Sequence, residues 1–226
     1  MENIGIVLNS ESSGSLLKDF VKRFKYKILP VAEYGFNFVV VRDDQNCSRI
    51  FNKNGVENVV IMTDADVEGC DFKIINGDIV YKRMMPEIVR KTLKSRGRES
   101  TIAIVDKNLS VDCSILVDKL CEICNSAVIV TENTKMAEKI SEKLMEQYGA
   151  VVEVTDGSRP VQCDIAVVIT PCGNRFSENC VIIDKNRRTG NRVINDFYIP
   201  FRTKPPYGMS NIVFAECLDV INTKIY

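Results

Sequence analysis

The chain has 226 residues, with 30 Lys and Arg against 30 Asp and Glu, nine Cys, and no His or Trp. Without His there is no Ser-His-Asp or Cys-His catalysis, no His-x-x-x-His zinc helix and no His-ligated haem. The charge balance argues against charge-driven binding to nucleic acid or to an anionic membrane.

Hydrophobic residues make up 45% and charged residues 27%, enough apolar material for one large domain or two small ones with cores of their own. No apolar run approaches the ~18 residues of a membrane helix. The start, Met1-Glu2-Asn3, lacks the basic region of a signal peptide. An odd number of Cys without an export signal reads as reduced thiols in a cytoplasmic protein.

In chain order, Ile4 to Leu8 is an apolar run that predicts a buried strand. Leu16, Leu17, Phe20, Val21 and Phe24 then fall on one helix face, with Ser10, Ser12 and Ser13 as cap candidates. Phe38 to Val41 and Val59 to Met62 are two further strands by their β-branched and aromatic content. Residues 72–83 read as a hairpin, because Asn76-Gly77 suits a turn with positive φ at both central positions. Pro86 then suits the first position of a helix that Gly97 ends.

A polar stretch from Ser95 to Ser100 predicts a boundary near residue 98. This gives a smaller N-terminal α/β domain over 1–98 and a second domain over 99–226. The second has strands at Ile102 to Val105, Ala127 to Val130, Val151 to Val154, Ile165 to Ile169 and Val181 to Ile183. Cys113, Leu116, Val117, Leu120 and Cys124 mark one helix face between them, and Met136, Ala137, Ile140, Leu144 and Tyr148 mark another, ended by Gly149. A last helix runs from about Ser210 to Ile221, to pack either back onto this sheet or onto the N-terminal block. Unalternating Val and Ile runs between amphipathic helices predict a parallel sheet with helices on both faces, in a Rossmann-like arrangement.

Such a sheet binds dinucleotides through a glycine-rich turn after its first strand, where pyrophosphate meets a helix N-terminus. Here Asp106, Asn108 and Val111 fill the three glycine positions. A carboxylate there repels pyrophosphate, and side chains block close approach. Glu132, at the end of the second strand, stands where a ribose-binding acid would be, at a spacing somewhat longer than the usual ~20 residues. The strand Ile165 to Ile169 delivers the turn Thr170-Pro171-Cys172-Gly173 to the same edge.

Residues 101–184 resemble, in degenerate form, an NAD(P)-binding domain of the shikimate dehydrogenase or glutamyl-tRNA reductase type. The similar parts are the run Val128 to Tyr148, the Thr170-x-x-Gly173 turn and the Val181-Ile182-Ile183-Asp184 strand end. A smaller α/β domain placed before the nucleotide domain is similar too. The resemblance implies the fold and a nucleotide-type crevice. No catalytic residue carries over, because no N-terminal stretch matches the family's substrate-binding Lys and Asp motifs.

Four other groups stand out. Cys121-Glu122-Ile123-Cys124 lies late in a helix, where the dipole raises a thiol pKa, so it reads as packing. Cys172 belongs to an exposed turn but lacks a His partner. Asp64 and Asp66, after the strand at 59–62, are the metal candidates, for Mg²⁺. Finally, Arg187 and Arg188 sit in a basic, aromatic segment at 185–208 that reads as a solvated charge run with aromatics docked on the core, as a lid over an anionic ligand, or as a homodimer contact.

Together these point to a cytoplasmic small-molecule-binding or regulatory protein with a degenerate nucleotide-type crevice and no dehydrogenase activity. Its site is expected from Asp106, Asn108, Glu132, Thr170, Cys172, Gly173, Arg187 and Arg188, around a small anionic ligand. The alternatives are an NAD(P)-dependent oxidoreductase with an atypical phosphate loop and a Mg²⁺-dependent phosphatase using Asp64 and Asp66.

Overall fold

The computed structural model describes residues 2–9, 26–43, 45–63, 72–96, 100–124, 126–173, 175–186 and 192–221. The helix expected over 16–24, the acidic pair Asp64 and Asp66, and Arg187 and Arg188 lie outside the described residues. The protein is α/β and divides into two units. One comprises Met1–Val80 and Tyr198–Tyr226; the other is Tyr81–Phe197.

The first unit holds a five-stranded sheet in the order β2-β3-β1-β4-β5. Its strands are β1 (Glu2–Leu8), β2 (Lys27–Val31), β3 (Phe36–Arg42), β4 (Asn58–Met62) and β5 (Lys73–Ile75). All neighbours are parallel except β2 against β3. β2 was not expected from the sequence. It is an edge strand, the place where a residue without a backbone N–H, Pro30, is tolerated.

The continuous apolar runs are explained by burial on both faces of this sheet. Ile4, Ile6, Phe36, Phe38 and Val60 pack with Phe214, Cys217 and Leu218 of the last helix, α5 (Asn211–Val220). Val7, Val39, Val41 and Val59 pack on the other face with Cys47 and Phe51 of α1 (Cys47–Lys53). The alternation along β1 leaves Gly5 facing Phe51. A Cβ at Gly5 would come within 2.7 Å of the Phe51 ring.

Two expectations are corrected here. The last helix packs with the first unit, because its apolar face completes that sheet's core. The division of the chain therefore falls after Val80 and after Phe197 rather than near residue 98. Residues 72–83 are not a hairpin. β5 pairs in parallel with β4, and the chain then enters a long helix, α2 (Asp78–Arg96), with Pro86 in its interior.

The helix start explains the second correction. Gly77 has φ +85, and the Asn76 side-chain oxygen accepts the Asp78 N–H at 2.9 Å, an Asx turn that bends the chain into a helix. Oε2 of Glu216, on α5, accepts the Ile79 N–H at 2.9 Å, satisfying one of the orphan donors of the first turn. Buried Tyr81, Met85, Val89 and Leu93 then recur every four residues.

The second unit carries a six-stranded sheet in the order β11-β10-β9-β6-β7-β8, parallel throughout. The strands are β6 (Ile102–Asp106), β7 (Ser126–Val130), β8 (Val151–Thr155), β9 (Ile165–Thr170), β10 (Val181–Ile183) and β11 (Val193–Ile194). Counted from β6, this is the order 3-2-1-4-5-6 of a doubly wound dinucleotide fold. α3 (Val111–Cys121) joins β6 to β7, and α4 (Thr134–Tyr148) joins β7 to β8. Gly149 closes α4 in the left-handed conformation, φ +66. β11 falls in a segment that reads as irregular, since two residues give no periodicity.

On one face of this sheet, Ala103, Val105, Val128, Val130, Ala166 and Val168 pack with Val161, Cys163 and Cys180 from the connections on either side of β9. Tyr81 is fully buried, and its hydroxyl lies 3.0 Å from the carbonyl oxygens of both Val168 and Ile183. Its ring stacks on Phe197.

Candidate functional site

Neighbouring strands diverge in their onward connections between β6 and β9. Ligands of open α/β sheets bind at such a point, outside the carboxyl ends of the strands. Three turns meet there, and they are tied by hydrogen bonds. The Lys107 N–H donates to the Thr170 carbonyl at 3.4 Å. The Glu132 N–H donates to the Lys107 carbonyl at 3.2 Å, and the Thr131 hydroxyl donates to the same oxygen at 3.1 Å.

Asp106 ends β6 and is completely buried. Its Oδ2 accepts from the Ser110 N–H at 2.7 Å and from the Ser110 hydroxyl. Ser110 is the N-cap of α3, and its Oγ in turn accepts the Cys113 N–H at 3.3 Å. The carboxylate thus sits at the positive end of the helix, where a dinucleotide fold would place pyrophosphate. Between Asp106 and Ser110 the chain turns tightly, with Leu109 at φ +54 and its N–H donating to the Asp106 carbonyl at 3.1 Å. A left-handed leucine is a strained position. Oδ1 of Asp106 is buried without a hydrogen-bond partner among the described residues.

At the rim, Lys107 Nζ lies 3.3 Å from Oε1 of Glu132, both side chains about half exposed. Asn108 is exposed on the same turn, Thr170 is half-buried, and Gly173 is exposed with φ +70. Cys172 is half-buried, and its thiol is 3.7 Å from the Thr170 carbonyl. Its pKa is raised, first by burial and then by the negative charges of Glu132 and Asp106, with Lys107 opposing. The thiol is thus a weaker acid than an exposed cysteine's, which gives a nucleophilic role for Cys172 no electrostatic support.

Of the residues expected from sequence, Asp106, Asn108, Glu132, Thr170, Cys172 and Gly173 belong to these three turns. Asp106 is buried beneath the turn rather than lining it. Lys107 was missed. The parallel register that pairs Val105 with Val130 places Lys107 beside Glu132 two residues on, and that pairing was the available signal.

The turn does not fit a pyrophosphate. Its helix N-terminus already carries a carboxylate, and Asp106, Asn108 and Val111 stand in the glycine positions that close approach requires. Among the described residues, no three Cys, Asp or Glu side chains cluster so as to hold a metal ion. No described helix is long and apolar enough to cross a membrane.

Neither a family model nor a curated protein matches the sequence. Solved structures similar to the chain include a shikimate dehydrogenase in complex with NADP+, at 14% identity and TM-score 0.34, covering 81% of this chain and 76% of that one. A shikimate 5-dehydrogenase-like protein follows at 10% identity and TM-score 0.31, covering 81% and 77%. An aspartate carbamoyltransferase from Trypanosoma cruzi has 12% identity and TM-score 0.33, covering 85% and 72%.

Proposed function

We propose that the protein binds a small polar molecule at the carboxyl edge of β6, β7 and β9, in a binding or regulatory role and without dehydrogenase chemistry. The observation that carries this reading is the Asp106–Ser110 closure of the α3 N-terminus, which takes up the pyrophosphate position with a built-in carboxylate. The ligand is one that offers hydrogen-bond donors. Glu132 is exposed to receive them. A small anionic ligand would depend on Lys107.

The second reading is an NAD(P)-dependent oxidoreductase with an atypical phosphate loop. The strand order of the second unit favours it. Thermal unfolding with millimolar NAD+ and NADP+ separates the two, because a ligand of the native state raises apparent stability. We expect no shift from either cofactor, and a small-molecule adduct in native mass spectra of the purified protein that Glu132→Ala loses. A rise of several degrees with either cofactor would establish the oxidoreductase reading instead.

A further inference from the structure

Cys163 and Cys180 flank β9, one just before it and the other just before β10. Their Sγ atoms are 3.5 Å apart, and both side chains are buried, at 7% and 3% exposure. The two connections that carry them are already laced together. The Val161 N–H donates to the Arg175 carbonyl at 2.8 Å, and the Ser177 hydroxyl donates to the Cys163 carbonyl at 2.5 Å. The Val181 N–H donates to the Asp164 carbonyl at 2.8 Å.

A disulfide has its sulfurs ~2.05 Å apart, so the pair needs to close by only about 1.5 Å. The backbone beside both residues is fixed by the bonds just named, so little chain movement is required. The Cys124 thiol donates to the Leu120 carbonyl at 3.1 Å.

We propose that Cys163 and Cys180 form a reversible disulfide that locks the connections around β9, and with them the Thr170–Gly173 turn. The chain between the two cysteines includes all of β9 and that turn. The bond would therefore close a ring of about 18 residues containing half of the candidate site, a constraint that acts mainly on the unfolded chain. In a reducing compartment the pair stays as thiols, and an oxidant makes it a switch.

The oxidant is a hydroperoxide, small enough to reach a buried pair through local opening. One thiolate attacks the peroxide oxygen, giving a sulfenic acid and releasing hydroxide or alkoxide, which takes up the thiol's proton. The second sulfur displaces water from the sulfenic acid, and the S–S bond forms. Two thiols lose two electrons, and the peroxide gains them as it becomes water, or alcohol and water. A dithiol reverses the reaction by exchange. The hydrogen-bonded contact with the Cys180 thiol, and then burial, hold the Cys163 pKa well above its ordinary value. Closure is accordingly slow at neutral pH and faster in alkali.

The test treats the native protein with hydrogen peroxide, blocks remaining thiols with N-ethylmaleimide in denaturant, and maps disulfide-linked peptides. The expected product joins Cys163 to Cys180. It disappears on dithiothreitol treatment and in Cys163→Ala or Cys180→Ala, and it forms normally in Cys121→Ala. The linked protein should melt higher by about 5–10 °C. Its Thr170–Gly173 amides should exchange with deuterium at least several-fold more slowly. Complete maleimide labelling of both cysteines after peroxide, or a bond between Cys121 and Cys124 in its place, overturns the proposal. A link that leaves Tm and exchange unchanged overturns the lock.

Discussion

Ser110 gives both its backbone N–H and its hydroxyl to one carboxylate oxygen of Asp106. Through this pair the last residue of β6 fastens the first turn of α3. In a dinucleotide fold the same two elements are joined by a flexible glycine turn around a bound phosphate. Here the phosphate's part is played by a side chain of the protein, and the helix is held whether or not a ligand is present.

Asp106→Ala should therefore destabilise the protein by about 2–3 kcal/mol, the scale for losing hydrogen bonds to a buried charged acceptor. Asp106→Asn keeps one acceptor and should lose less. Urea unfolding of both variants checks this. Equal midpoints for Asp106→Ala and the parent would show that the pair does not hold the helix.

The Cys172 thiol offers a second, independent probe of the same edge. Its raised pKa leaves less thiolate at neutral pH than an exposed cysteine has, so iodoacetamide should react more slowly and speed up as pH rises. Glu132→Gln removes a charge that raises the pKa and should quicken the reaction roughly two- to fivefold near pH 8. Lys107→Met removes the opposing cation and should slow it. Alkylation rates indifferent to both substitutions would mean that the three side chains do not share one site.

Much of this edge was legible in the sequence. The strand runs from Ile102 to Ile183 and the missing glycines pointed to a Rossmann-like sheet with an altered turn. What could not be read was the fate of the Asp106 carboxylate, since a buried acid bonded to Ser110 and an exposed acid facing a ligand have the same local sequence. The helix at 78–96 was obscured for a different reason. Asn76-Gly77 is a turn signal shared by hairpins and helix entries, and Pro86 marks a helix start more often than an interior. The capping Glu216 that settles the matter lies far away in the chain.

That cap can be tested by itself. Glu216 is buried at 4% exposure and accepts the Ile79 N–H. Glu216→Ala leaves a first-turn donor of α2 without its partner and should cost about 1–2 kcal/mol. Glu216→Gln retains a side-chain oxygen of similar reach and should recover most of the loss. Thermal or urea unfolding reads the difference, and a Gln variant as unstable as the Ala variant would show that the acceptor oxygen is not what matters.

Gly5 is constrained by a ring rather than by its backbone. A Cβ there would lie 2.7 and 2.8 Å from two carbons of Phe51. Phe51 is fully buried and meets Phe72 edge-on, at 5.5 Å between centroids, so the ring has little room to retreat. Gly5→Ala should cost about 1–3 kcal/mol through overpacking. The double variant Gly5→Ala with Phe51→Leu should lose less than the sum of the single changes, as contacting residues do. Strict additivity in urea unfolding would mean that the two positions do not collide.

The buried thiols of the second unit set its response to alkali. Cys113 is pushed up to about 12 by burial and by the charge of Asp106. Cys121 is pushed up to about 11 by burial, then by Cys124 and Asp118. An unfolded thiol loses its proton near pH 8.5. Above that pH the folded chain binds more protons than the unfolded one, and stability falls as pH rises. The contribution is fully present below about pH 8.5 and is lost progressively up to the folded values. Unfolding midpoints in urea should accordingly drop between about pH 8 and 10. Cys121→Ala removes one of the groups and should flatten the slope while costing little at neutral pH. A slope in that variant as steep as in the parent would assign the alkaline loss to other residues.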